Sequence, residues 1–124
     1  MKTINERTSI VLELNFLDEN GAAVTPDSGR YQISDEQSET VLTSWTNFTP
    51  TTSSATLIIG QENNQIVDTD NDAEVRIVSV VTQRSSQQCT AEFKYEVKNL
   101  RDIPPNVSVV SSGGAVGGGT AVIV

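Results

Sequence analysis

The residues from 89 to 98 alternate without a break between apolar and polar side chains, and this pattern restricts the fold more than any other. Cys89, Ala91, Phe93, Tyr95 and Val97 are separated by Thr, Glu and Lys residues. Because successive side chains of a strand point to opposite faces, the pattern predicts a β-strand with one buried and one solvated face. Residues 10–17 show the same alternation and predict a second such strand.

Further strands are predicted at 30–35, 40–45, 55–59 and 73–81, separated by turn-forming segments that include Asn20-Gly21. In the 73–81 strand, Glu74 and Arg76 are expected to face the solvent. Residues 61–68 are expected to form one helical turn or a tight crossover. Residues 83–88 are expected to form a polar hairpin loop.

Val, Ile and Thr greatly outnumber Leu, Ala and Met in the chain. Such β-branched residues lose rotamer freedom in a helix and pack well on a pleated sheet. Together with the short strands and regular turns, this composition predicts an all-β fold, a β-sandwich of about seven strands followed by an extended C-terminal arm. A β-barrel is the nearest alternative.

The charged residues define two regions. All of them lie in residues 1–103, whereas residues 104–124 carry none and contain most of the glycines. Pro104-Pro105 stands at the junction, where proline fixes φ and removes backbone donors. We therefore predict a β-sandwich domain over residues 1–103 and an uncharged Gly/Val-rich arm over residues 104–124.

The charge balance and the rare residues exclude several functions. The formal net charge is −8, and the chain has one Cys and no His. Nucleic-acid binding favours a basic surface, zinc sites draw mainly on Cys and His, and the common catalytic triads need a His base. No stretch of 18 apolar residues occurs, and the N-terminus lacks a secretory signal. We predict a protein without enzymatic activity and without a cofactor.

The acidic segment from Asp68 to Asp72 is the one candidate for a metal site, because alternating carboxylates can bind Ca²⁺. The EF-hand pattern requires Gly at loop position six and Glu at position twelve, where this chain has Ala73 and Ser79. A turn stabilised by local Asp and Asn hydrogen bonds is the favoured interpretation. No metal ligand is therefore predicted, and calcium binding by Asp68, Asp70 and Asp72 stays open.

Cys89, Trp45 and Phe48 are the remaining candidates for special roles. Cys89 is in the inward phase of its strand, which predicts a small core residue without a base to activate it. Trp45 and Phe48 could form a ligand platform. A lone Trp in a β-sandwich more often fills the core between the sheets, and we expect that placement.

Four segments follow one another along the chain: the opening TSIVLELNFLDENGAAVTP, the short strand RYQI, AEVRIVSVV and CTAEFKYEVKNL. In these segments, over residues 8–100, the chain resembles the small immunoglobulin-like auxiliary proteins of tailed bacteriophages. The resemblance implies that the predicted fold is an immunoglobulin-like β-sandwich. It implies a structural protein of the virion, made in the host cytoplasm, that decorates or joins the capsid, neck or tail. The expected partners are other virion proteins (capsid, portal or tail) and copies of itself, with no nucleic acid and no membrane. The resemblance implies no catalytic residue, and it does not extend to the arm.

The arm contains two apolar, β-prone segments joined by a Ser/Gly/Ala spacer at residues 111–119. Because an extended segment can add as a strand to the sheet edge of another chain, we predict that both segments bind a partner. Two alternatives stay open: the arm is the last strand of its own sandwich, or it is disordered. The predicted partner-binding residues are Val107, Val109, Val110, Val122, Ile123 and Val124.

The alternative function is a carbohydrate- or cell-surface-binding module. β-Sandwiches present variable loops at their ends, and such modules use exposed aromatic side chains. Four of the six aromatic residues are in inward phase, which leaves Trp45 and Phe48 for this role.

Overall fold

The computed structural model describes residues 1–100 and the backbone of residues 116–123. Within these ranges the chain forms eight β-strands and a short 3-10 helix at Gln61–Asn64, and no α-helix. The strands are β1 (Lys2–Asn5), β2 (Ser9–Phe16), β3 (Ser28–Asp35), β4 (Val41–Phe48), β5 (Ser54–Ile59), β6 (Ala73–Arg84), β7 (Gln87–Lys98) and β8 (Val116–Ile123).

The strands form two sheets, and the predicted all-β sandwich is confirmed. One sheet has the order β1-β7-β6-β3-β4, and the other has the order β5-β2-β8. Placing β2 and β5 in one sheet and β3, β6 and β7 in the other matches the B–E and C–F–G arrangement of immunoglobulin domains. The short strand β1 pairs in parallel with β7 and is not among the predicted strands.

The core lies between the two sheets and is built from the inward positions of nearly every strand. Ile10, Leu12 and Leu14 of β2 are completely buried, and so are Val78 of β6 and Tyr95 of β7. They sit at alternate positions, because each strand presents every second side chain to the opposite sheet. The period-two pattern in the sequence therefore locates the core correctly on β2 and β7.

The turn after β2 explains why Asn20-Gly21 follows an apolar strand. Gly21 adopts a φ of 82°, a left-handed conformation that glycine accepts without strain. The Asp18 carboxylate accepts hydrogen bonds from the backbone N–H groups of Asn20 and Ala22, both at 2.9 Å. These two bonds hold the pKa of Asp18 below its ordinary value. The predicted turn is thus confirmed.

Gly29 lies directly against the ring of Phe48. A Cβ at this position would overlap that ring, so glycine leaves room for it. Phe48 in turn packs on Phe16 and Tyr31, with ring centroids 6.4 and 6.3 Å away. Phe48 is therefore a partly buried residue that packs against the core, and it does not form a surface platform together with Trp45.

The expected orientation of Glu74 and Arg76 is wrong. Both side chains point inward from β6, and they are 2 and 0 % exposed. They share the inner face of the strand with Val78 and Val80. The structure accommodates the charges because Arg76 pairs with Glu74 and with Asp35 of β3. Charges enter a protein interior only when they are paired and hydrogen-bonded in this way.

Candidate functional site

The outer face of the five-stranded sheet carries the most exposed aromatic ring of the described residues. Trp45 of β4 is 45 % exposed, so the expectation that it fills the core is wrong. The guanidinium of Arg30 lies over its indole ring, 5.0 Å from the centroid. This cation–π contact holds both side chains on the surface.

A shallow depression lies beside this pair. Arg30 is in register with Asn47 on one side and with Val81 on the other, so the three side chains point outward together. The depression has a volume of about 380 Å³. Val81 contributes an apolar surface that is only 8 % exposed. The polar residues that line it are Ser28, Arg30, Asn47, Thr49, Gln83 and Gln88.

A larger cleft of about 620 Å³ opens at the end of the sandwich where β2 stops and the β6–β7 hairpin turns. Phe16, Val24 and Cys89 line its apolar part, and Glu19 and Arg84 stand among its polar residues. Cys89 is partly buried and packs against the core, as its phase in the strand predicts.

The opposite end of the sandwich is closed by a buried ionic cluster around Arg76. Its guanidinium donates to the Asp35 carboxylate at 2.6 Å and lies 3.0 Å from the Glu74 carboxylate. It also donates to the backbone oxygens of Asn63 at 2.9 Å and Gln65 at 2.6 Å. Arg76 therefore fixes the crossover from β5 to β6 against the inner face of the sheet.

Tyr95 and Asn64 extend this cluster towards β2. The Tyr95 hydroxyl donates to Oδ1 of Asn64 at 2.6 Å, and the Asn64 amide donates to the backbone oxygen of Thr8 at 2.6 Å. Burial raises the pKa of Tyr95 far above its ordinary value, although the nearby charge of Arg76 acts in the opposite direction. The phenol therefore stays protonated and serves as a hydrogen-bond donor.

Glu74 is held in its charged form. Burial raises its pKa, but hydrogen bonds from the backbone N–H groups of Val67 and Asp68 and from the Asn71 amide lower it more, as does Arg76. The net result is a pKa below the ordinary value. In the part of the chain that the structure describes, every buried side-chain nitrogen and oxygen has a hydrogen-bond partner. This cluster thus holds the fold together and leaves no buried group directed at a ligand.

The acidic segment at 68–72 forms a turn in the structure. Oδ1 of Asp68 accepts a hydrogen bond from the backbone N–H of Asp70 at 3.0 Å, and the backbone carbonyl oxygen of Asp68 accepts one from the backbone N–H of Asn71. Within the described ranges, no group of three or more acidic or thiol side chains is positioned to hold a metal ion. The geometry here is that of the turn that the sequence favours.

The structure describes two of the six predicted partner-binding residues and leaves out the other four. Val107, Val109, Val110 and Val124 lie outside the described residues, as does the junction at residue 103. Val122 and Ile123 lie in β8, which pairs in parallel with β2 of the same chain from Ser9↔Val116 to Phe16↔Ile123. This pairing is the one that the own-sandwich alternative describes. The structure contains one chain, and pairing of the arm with a partner stays a prediction.

Strand β8 covers the edge of β2 that β5 leaves unpaired. Strand β8 forms one edge of its sheet, and β2 lies between β8 and β5. Gly117, Gly118 and Gly119 stand opposite Ile10, Val11 and Leu12. At these three positions the contribution of β8 is confined to its backbone, since glycine has no side chain.

No helix among the described residues has the length and apolar character needed to cross a membrane. No protein-family model, no curated protein and no solved structure matches this chain.

Proposed function

We propose that this chain is a non-enzymatic structural protein of a bacteriophage virion. It decorates or joins the capsid, neck or tail through the surface of its β-sandwich and through its C-terminal arm. Its partners are other virion proteins and further copies of the same chain.

The observation that carries this proposal is the edge position of β8. In the sequence this strand comes after residues 101–115, whose only charged residues are Arg101 and Asp102. It joins β2 through a parallel ladder of eight residue pairs.

Residues 101–115 are long enough to let β8 reach a neighbouring copy. Fully extended, fifteen residues span roughly 50 Å, several times the domain radius of about 14 Å. The backbone hydrogen bonds of β8 to β2 are the same whether the two strands belong to one chain or to two. Exchange of an identical element in this way is a low-cost route to an oligomer.

The arrangement of the charges also supports an assembly role. The chain has a net charge of −8, and the buried cluster of Arg76 with Asp35 and Glu74 accounts for only one of these negative charges. The remaining acidic surface repels nucleic acid, which suits a protein on the outside of a DNA-filled particle.

Labelling of intact particles tests the proposal. Antibodies raised against the purified protein are applied to purified virions of the source phage and located by immunogold electron microscopy. The proposal predicts labelling at a fixed place on the particle and co-sedimentation of the protein with virions. Recovery of the protein only from the soluble fraction of the lysate, with unlabelled particles, would contradict it.

A further inference from the structure

We propose that the outer face around Trp45 and Arg30 is a binding site for an acidic saccharide. This site is separate from the edge strand β8, and it does not depend on the virion assignment. The expected ligand is a sugar that carries a carboxylate, such as a uronic or sialic acid.

The first observation is the accessible indole of Trp45. Nearly half of this residue is exposed to solvent on the outer face of the sheet, although tryptophan is usually mostly buried. Its broad apolar ring is suited to pack against the C–H face of a pyranose, while its N–H can donate a hydrogen bond. The cation–π contact with Arg30 favours this position of the ring before any ligand arrives.

The second observation is the chemistry of the neighbouring depression. Its lining provides hydroxyl groups from Ser28 and Thr49 and amides from Asn47, Gln83 and Gln88, which can donate to and accept from sugar hydroxyls. Val81 supplies an apolar patch between them. A small apolar surface with several polar groups around it is the usual composition of a small-molecule site.

The third observation is the charge of the site. The chain has 16 acidic residues, yet none of the residues that line the depression carries a carboxylate. Arg30 forms no ion pair with the carboxylates of residues 1–100, in contrast to Arg76, Arg84 and Lys94. Stacking on Trp45 uses only the flat face of the guanidinium, so its N–H edge can bind a carboxylate in bidentate fashion.

A glycan array tests the proposal on the full chain. The array carries oligosaccharides that contain uronic or sialic acids beside their neutral counterparts, and it is probed with fluorescently labelled protein. We expect retention on acidic glycans and at least tenfold weaker retention on the neutral ones. No retention on any acidic glycan would overturn the proposal.

Fluorescence then locates the binding. Trp45 is the only tryptophan in the chain, so its emission reports on this site alone. Titration with the best acidic glycan should change the emission in a saturable way, whereas an unchanged emission would place binding elsewhere and overturn the proposal.

Three variants complete the test, each checked for folding by circular dichroism. Trp45→Ala should lower the affinity at least tenfold, measured by calorimetry. Arg30→Gln should remove the preference for acidic over neutral glycans. The control is Val41→Ala, which alters an exposed apolar side chain of the same strand outside the depression and should leave the affinity within twofold. Equal affinity of Trp45→Ala and the unmodified protein would overturn the proposal.

Discussion

Replacing Arg76 by Met should destabilise the sandwich more than any replacement of a surface charge. Arg76 is completely buried and neutralises two buried carboxylates, those of Asp35 and Glu74. Methionine has a similar length and keeps much of the apolar packing, but it provides no charge and no donor. The variant therefore leaves both carboxylates and the backbone oxygens of Asn63 and Gln65 without this partner.

The expected magnitude follows from these lost contacts. Removing one partner of a buried ion pair costs about 3–5 kcal/mol, because the remaining charge stays in the interior without compensation. Here two carboxylates lose the same cation but keep hydrogen bonds from other donors, such as those of Val67 and Asp68 to Glu74, so we use the middle of this range, about 4 kcal/mol. For a domain of this size, 4 kcal/mol lowers the midpoint of thermal unfolding by roughly 15 °C. Total stabilities are only about 5–15 kcal/mol, so the variant should be near the limit of folding.

Urea unfolding followed by far-UV circular dichroism measures this change. Lys94→Met serves as the control, because Lys94 pairs with Glu36 at 3.3 Å on the surface, where both side chains are more than 40 % exposed. That variant should change the free energy of unfolding by less than about 1 kcal/mol.

A second comparison separates charge from packing. Adding Asp35→Asn to the Arg76→Met variant removes one of the two carboxylate charges, while the asparagine oxygen can still accept the hydrogen bonds from Ser38. This double variant should recover part of the lost stability. The reasoning would be refuted if Arg76→Met unfolded at the same urea concentration as Lys94→Met, or if the double variant were less stable than Arg76→Met.

Three further changes test other parts of the fold. Because the folded-state pKa of Glu74 is lowered, its stabilising effect is complete above the ordinary value of 4.5 and is lost as the pH falls below it, so Glu74→Gln should flatten the acid side of a stability–pH curve. Tyr95→Phe leaves the buried Asn64 oxygen without its donor and should cost about 1–3 kcal/mol in urea unfolding, and no loss would exclude a role for this bond. Gly29→Ala places a methyl group against the Phe48 ring and should cost about 1–3 kcal/mol in thermal unfolding, whereas an unchanged midpoint would contradict that packing.

The sequence predicts those strands in which one face is apolar and the other polar. For β7, the alternation from Cys89 to Lys98 decides both the strand and its buried face, and for β2 the same holds from Ile10 onwards. Strand β1 has only four residues, Lys2–Asn5, and is too short to show a period. Its position depends on pairing with β7, which is remote in the sequence.

The orientation of β6 could not be decided from its own residues. Both faces of this strand carry β-branched apolar residues, so the alternation leaves two phases open, and charge alone favours placing Glu74 and Arg76 outside. What brings them inside is Asp35, a residue of β3 that is 41 positions away from Arg76 in the chain. Such a partner is visible only after the strands are assembled.

The candidate saccharide site, too, could not be predicted from the sequence around its own residues. The sequence leaves Trp45 and Phe48 as candidates for a platform and favours Trp45 in the core, but in the structure Phe48 packs against the core and Trp45 lies outside. Register shifts between β3 and β4 interrupt the regular alternation along this edge strand, which is why the phase of Trp45 could not be counted from its neighbours. Arg30 joins the site only through the pairing of β3 with β4.

Cross-linking between β2 and β8 tests the central claim, that the C-terminal strand joins copies of this chain in an assembly. Glu13 and Thr120 are register partners in the two strands, so cysteines at both positions, in a Cys89→Ser background, can form a disulfide across the ladder. The protein is oxidised within assembled particles and analysed on a non-reducing gel. We predict disulfide-linked dimers and larger species. Only monomers with an internal disulfide would show that β8 stays on its own sandwich and would contradict the claim.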